Sequence, residues 1–181
     1  LMHLRAFREA FDETVAVLRH HVSFDLCDAM STGDMLHHTD RSQAAIFAHE
    51  VASARALEAY GVRPRFLVGH SIGEFAALHI AGVLSLEDAA RLVAARGHLM
   101  AELPEGGIMV AVHAPADRVT KALEAVPDVA LAAVNGPTSV VLSGPNDAVT
   151  AVVDELTAQG VRTRRLKVSH AFHSPMMAPM R

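Results

Sequence analysis

The chain has 181 residues, 51% of them apolar and 20% charged, with 16 lysines and arginines against 20 aspartates and glutamates for a formal net charge of −4. That apolar share rules out disorder as the dominant state and supports a sizeable core, in one domain or one domain with a small insert. The mild acidity argues against a nucleic-acid surface, and the single cysteine, Cys27, permits neither an internal disulfide nor a Cys-built zinc cage and fits a reducing, cytoplasmic setting. No targeting segment is read at the start, and charges or glycines break every apolar run well before the roughly 18 residues of a membrane span. The chain starts at Leu1 and stops at Arg181, shortly after Pro175 and Pro179, so both ends look cut.

Phe7, Phe11, Val15 and Leu18 recur at helical spacing and predict a helix over 6–20 with one buried face. Residues 21–41 read as irregular, with Ser31-Thr32-Gly33-Asp34 as turn chemistry. A second helix is predicted over 43–60, burying Ala44, Phe47, Val51, Ala54 and Leu57 and closed by Gly61 ahead of Pro64. The apolar run Phe66-Leu67-Val68 reads as a short strand that enters Gly69-His70-Ser71-Ile72-Gly73, and a helix over 74–80 follows, ending near Gly82. Ser85-Leu86-Glu87-Asp88 resembles a capping box and opens a further helix that reaches Met100.

Beyond Pro104 the texture changes. Strands are predicted over 108–113, 129–134, 140–142 and 161–168, with helices over 116–125 and 146–159, the last closed by Gly160. This β-α-β-β-α-β order is the signature of a ferredoxin-like unit, whereas the upstream strand–helix order points to a larger parallel α/β layer. The fold class is therefore α/β. Residues 1–105 form part of a large core, 106–168 a small inserted subdomain, and 169–181 return to the core.

The pentapeptide around Ser71 matches G-x-S-x-G, and a strand before it and a helix after it are the context that motif requires. A sharp turn there lifts the hydroxyl clear at a helix N-terminus, where the Ile72 N–H and the helix dipole favour an oxyanion; one such donor is worth about 2.7–4 kcal/mol. The plainer reading is a tight turn whose serine only caps the helix. A serine nucleophile needs a base, and histidine suits that task near neutrality. Among twelve histidines, His70 adjoins the serine but a tight turn aims it away, while His170 and His173 lie where the last strand gives way to a loop. His37-His38 reads as a solvated polar loop, and no His-Glu-x-x-His helix or acidic cluster supports a metal. Arg96 stands on the apolar stripe of Ala89, Val93 and Met100. A guanidinium there needs a partner: an internal salt bridge, a snorkelling path to water, or a substrate carboxylate held at about 1.5–3 kcal/mol per charged hydrogen bond.

Gly69-His70-Ser71-Ile72-Gly73-Glu74, Ala81-Gly82-Val83-Leu84-Ser85-Leu86-Glu87-Asp88-Ala89, Arg96-Gly97, Asn135-Gly136-Pro137 and His170-Ala171-Phe172-His173-Ser174-Pro175 occur in that order. Together they resemble the acyltransferase domains of modular type I polyketide synthases, relatives of malonyl-CoA:acyl-carrier-protein transacylase, over nearly the whole chain. The resemblance implies an α/β-hydrolase-like core carrying a ferredoxin-like subdomain. It implies Ser71 as the nucleophile that receives the acyl group, His173 as its base and then the acid for the leaving thiol, and Arg96 as the clamp on a malonyl-type carboxylate. Gln43 matches a glutamine lining the active site, and the Ile72 N–H supplies one oxyanion donor. His70 is counted with the substrate-binding residues, and His170 and Phe172 with the selectivity wall. In this family His-Ala-Phe-His and an apolar residue after the serine go with malonyl. The resemblance further implies no bound cofactor or metal, malonyl-CoA as substrate, and an acyl carrier protein bearing phosphopantetheine as partner, beside a ketosynthase and linker. An amino-terminal Gly-Gln-Gly strand and a carboxyl-terminal segment of the family are expected outside 1–181. Two rivals stand beside this reading: a serine thioesterase or other acyl hydrolase, and a non-catalytic piece of a larger synthase.

Overall fold

The computed structural model describes residues 1–2, 4–33 and 38–180. Asp34 of the predicted turn, His37 of the predicted polar loop and the terminal Arg181 lie outside the described residues. The chain divides into two compact units, Leu1–Ala101 and Glu102–Arg181.

The first unit is helical: α1 (Arg5–Leu18), α2 (Leu26–Thr32), α3 (Thr39–Ala59), α4 (Gly73–Ile80) and α5 (Leu86–Ala101). α1 buries Phe7, Phe11, Val15 and Leu18 as its periodicity requires, and adds Ala10 and Thr14, whose hydroxyl donates to the Ala10 carbonyl at 2.7 Å. α2 falls where irregular chain was expected. With 7 residues it is too short to show a periodic stripe, yet both ends are signed: Asp25 accepts from the Asp28 N–H, and Gly33 closes it at φ 74°. α3 starts at Thr39, four residues ahead of the predicted Gln43. Its buried face is made largely of alanines (Ala44, Ala45, Ala48, Ala52 and Ala56, with Phe47 and Val51) and lies against α1, α4 and α5. Leu57, assigned to that face from spacing, is 54% exposed. Alanine and leucine contrast too little with their neighbours to fix the rotation of this stripe, and the small residues win because they let helix axes approach.

α5 is capped as read. The Asp88 N–H donates to Ser85 Oγ at 3.0 Å, and the Ser85 hydroxyl donates to Asp88 Oδ2 at 2.7 Å. Farther along, α5 presses its backbone on the first turn of α3: a methyl group on Gly97 would stand 2.9 Å from Asp40 Cα. Phe66-Leu67-Val68 does not form a strand, which corrects the sequence reading. No described segment pairs with it, and Phe66 and Val68 are 86% and 95% exposed. Apolar character makes a segment able to be a strand, but a strand exists only through its ladder. No sheet is formed within the first unit among the described residues.

The second unit carries the predicted β-α-β-β-α-β order: β1 (Gly107–Val112), α6 (Ala116–Leu123), β2 (Ala130–Gly136), β3 (Ser139–Pro145), α7 (Asn146–Ala158) and β4 (Thr163–Arg165). The strands align as β2-β3-β1-β4 with every neighbouring pair antiparallel. Ile108, Val110 and Val112 of β1 and Val140 and Leu142 of β3 cover Val119 of α6 and Val149, Val152 and Leu156 of α7. β4 is shorter than the predicted 161–168. It pairs only with Val110–Val112, and two further bonds, Leu166 N–H to the Met109 carbonyl and His113 N–H to the Arg162 carbonyl, both at 2.9 Å, extend the ladder at its two ends. The chain then lays 169–180 against the sheet, ending in a 3-10 helix, Pro175–Met180. Gly107 makes this seat: a methyl group there would lie 2.4 Å from Ala171 Cβ and 2.8 Å from Met176 Sδ.

Candidate active site

Ser71 occupies the turn into α4 with φ at 55°, a left-handed conformation that costs an ordinary residue about 1–2 kcal/mol. The two glycines of the motif make that turn possible by different means. A methyl group on Gly69 would stand 2.3 Å from both Cα and N of Glu74, so the chain passes its own backbone there with no room for a side chain. A methyl group on Gly73 would stand 3.1 Å from Glu50 Oε1, so the vacated space holds a carboxylate from α3. The turn's own bonds run from the Gly73, Glu74 and Phe75 amides to the His70, Ser71 and Ile72 carbonyls at 3.1–3.2 Å. The Ile72 N–H stands outside that set, while its side chain is buried. A hydroxyl at this helix start is placed in the positive end of the dipole.

Two partners fix the serine's surroundings. Arg96, half-buried on α5, donates through Nη2 to Ser71 Oγ at 3.1 Å and through Nη1 to Gln43 Oε1. Both bonds go to neutral oxygens, so the internal salt bridge considered for this arginine is not what holds it. Burial lowers its pKa from the ordinary value, but a guanidinium titrates so high that it remains a cation. Gln43 is buried, and its Nε2 donates to Thr39 Oγ1 at 2.9 Å and to Met100 Sδ at 3.3 Å. Because Ser71 Oγ accepts from Arg96, the serine's own proton is directed to another acceptor, as a general-base mechanism needs.

In the second unit the other three predicted residues share one segment. His170 is buried at 5% exposure, with Nε2 2.9 Å from the Leu103 carbonyl and Nδ1 2.9 Å from Ser169 Oγ. A carbonyl only accepts, so Nε2 carries a proton toward Leu103. Phe172 leans on the His170 ring at a centroid distance of 6.0 Å. His173 has φ at 58°, and it and Ser71 are the only non-glycine residues with positive φ among the described residues. The Ser174 hydroxyl donates to the Ala171 carbonyl at 2.7 Å and accepts from the Met176 N–H at 3.2 Å, closing the backbone around His173.

The structure therefore brings Ser71, Ile72, Arg96 and Gln43 together in one unit and His170, Phe172 and His173 together in the other. His70 is exposed on the turn. Other histidines carry ordinary structural work: His21 meets Glu87 at 2.7 Å, His79 the Leu84 carbonyl at 3.1 Å, and His49 lies edge-on to Phe7. Among the described residues no three His, Cys, Asp or Glu side chains converge as a metal site, and Cys27 is exposed.

Sequence reasoning missed two side chains. Thr39 resembles a cap at a helix start. Glu50 stands at the i+7 step from Gln43, on the helix face that includes Phe47, and an acid there is a signal that could have found it. Glu50 Oε2 is buried without a hydrogen-bond partner, and burial pushes the carboxyl above its ordinary value against a smaller opposing pull from His49.

The family model described as the acyl transferase domain matches residues 1–181. Mycoketide-CoA synthase of Mycobacterium tuberculosis is 54% identical over 176 residues, covering 96% of this chain and 4% of that protein. The chain thus spans a small fraction of the curated relatives it matches. The crystal structure of the acyltransferase domain from the second module of the salinomycin polyketide synthase matches with a TM-score of 0.90 at 54% identity, over 97% of this chain and 42% of that one. Malonyl CoA-acyl carrier protein transacylase from Clostridium perfringens matches with a TM-score of 0.85 at 30% identity, over 97% and 59%. No described helix is long and apolar enough to cross a membrane.

Proposed function

This chain belongs to the acyl transferase domain family, and from that premise we propose that it moves a malonyl-type unit from coenzyme A to the phosphopantetheine thiol of an acyl carrier protein in polyketide biosynthesis. Ser71 loses its proton to His173 and attacks the thioester carbonyl. The Ile72 N–H receives the oxyanion, and His173 returns the proton to the leaving thiol. The carrier thiol then attacks acyl-Ser71 by the same steps in reverse. Arg96 takes the free carboxylate of the acyl group with its planar fork, and Gln43 holds that fork. His170 and Phe172 form the wall that goes with malonyl in this family.

One observation carries this reading: a half-buried guanidinium on the nucleophile's oxygen, paired with neutral partners and so available to an incoming carboxylate. A hydrolase acting on uncharged esters gains nothing from a cation there. In the same reading, 1–105 belongs to an α/β-hydrolase-like core and 169–181 returns to it. The strand order β2-β3-β1-β4 supports a ferredoxin-like subdomain over 106–168. The polyketide synthases among its relatives support a multidomain setting; the same reading puts the chain in the cytoplasm beside a ketosynthase and gives it no bound cofactor or metal.

Intact-mass analysis after mixing with malonyl-CoA tests the proposal. A malonyl adduct that disappears in Ser71→Ala and is discharged by a carrier-protein thiol is the expected result. An adduct that survives Ser71→Ala, or one lost to water faster than to the thiol, overturns it in favour of the hydrolase.

A further inference from the structure

Arg96 bonds Ser71 through one nitrogen and Gln43 through the other, so the direction of its fork depends on which atom the Gln43 amide presents. A primary amide can flip and exchange oxygen for NH2 at almost no change in shape. Here the surroundings forbid it. Arginine only donates, so NH2 facing Arg96 would set donor against donor; the Met100 sulfur on the opposite side only accepts, so the flipped oxygen would set acceptor against acceptor. The stronger partner on that opposite side is the Thr39 hydroxyl, 2.9 Å from Gln43 Nε2 and itself 6% exposed.

Thr39 is held in register with Arg96 by the backbone as well. It sits one turn ahead of Gln43 on α3, and the adjacent Asp40 is the residue that Gly97, next to Arg96, presses against. We propose that Thr39 is a positioning residue for acyl selection: Arg96 and Met100 decide which way round the Gln43 amide stands, the Thr39 hydroxyl anchors it in place, the anchored amide aims the Arg96 fork, and the fork selects acyl groups that end in a carboxylate. The inference rests on the acyl-transfer reading above. It assigns Thr39 no contact with substrate.

The test is single-turnover acylation of Ser71 in the full chain, read by intact mass, with malonyl-CoA and with acetyl-CoA as the carboxylate-free comparison. Thr39→Val keeps the shape and deletes the hydroxyl; it is expected to slow malonyl acylation roughly tenfold while changing acetyl acylation less than about twofold. Thr39→Ser restores the hydroxyl and is expected to stay within about twofold of the parent for both. In an Arg96→Ala background Thr39→Val is expected to add nothing, because its effect passes through the arginine. Equal slowing of both acyl groups, failure of Thr39→Ser to rescue, or a full further loss in the Arg96→Ala background overturns the proposal and makes Thr39 a packing residue. Should Thr39→Val fail to fold, Thr39→Ala carries the same comparison. A parent chain that malonyl-CoA never acylates on Ser71 sinks the transfer reading itself, and this inference with it. A parent that is acylated beside indifferent Thr39 variants sinks only this inference.

Discussion

The two left-handed residues, Ser71 and His173, are held by different means. Around Ser71 close backbone contact adds to the turn's hydrogen bonds: backbone passes backbone at Gly69, a carboxylate fills the space at Gly73, and Arg96 donates to the serine oxygen. Around His173 the restraint is a set of hydrogen bonds on a segment that crosses the sheet, from His170 to Leu103 and from Ser174 to Ala171, with Gly107 providing the seat. Strained backbone persists only where its surroundings over-determine it. Sterics against backbone cannot relax, whereas a segment lying on a sheet can lift. The Ser71 turn should therefore fail all at once, and the His173 segment by degrees.

The largest effect expected from this contrast is at Gly69. Gly69→Ala drives a methyl group into the Glu74 backbone and should cost about 3–5 kcal/mol of stability together with all Ser71 acylation. Urea unfolding and the intact-mass assay measure the two losses; a folded, acylated Gly69→Ala protein would break the steric account. Gly107→Ala meets Ala171 at its Cβ and, at 3.1 Å, its backbone nitrogen, along with the Met176 sulfur, so relief requires the whole segment to move off the sheet. Its cost should be smaller, about 1–3 kcal/mol, with acylation falling further than stability because the His173 segment is displaced. Parallel losses in both readouts would show that the seat serves folding alone.

The smallest effect expected is a pH dependence at Glu50. Burial raises its carboxyl in the folded chain, so between the unfolded and folded values the native state binds more protons than the unfolded one. Stability should then fall as pH rises through that window, with the penalty absent below the unfolded carboxyl value and complete above the raised folded one. Glu50→Gln should flatten this trend in urea unfolding across pH. An unchanged slope in Glu50→Gln would place the charge effect elsewhere.

Where the sequence marks a structure locally, the reading was sound. α1 shows its face through large residues, α5 through the Ser85 cap, the Ser71 turn through glycines whose absent side chains explain the motif, and Arg96 through a charge on an apolar stripe. What depended on partners was less legible. Phe66-Leu67-Val68 has strand composition and no neighbour to pair with among the described residues, and β4 stops short because it pairs with only the last three residues of β1. α2 is shorter than the window over which periodicity can be seen. At the site, Thr39 looks like any residue at a helix start, since its meaning lies in a glutamine one turn on and an arginine from another helix. Glu50 was visible as an acid on a buried face, but only the fold shows that it fills the space of a missing glycine side chain.

The alanine face of α3 has a consequence for redesign. Helices separated by little more than methyl groups have no slack, so enlarging Ala44, Ala48 or Ala52 moves whole axes rather than side chains. Because Gln43 rides on α3, and Arg96 on the α5 packed against it, such a change would alter the Arg96–Gln43 pair first. In the reading proposed above, new acyl specificities are therefore better sought at the half-buried Phe172 than at His170, bonded at both ring nitrogens, or Ala171, seated on Gly107.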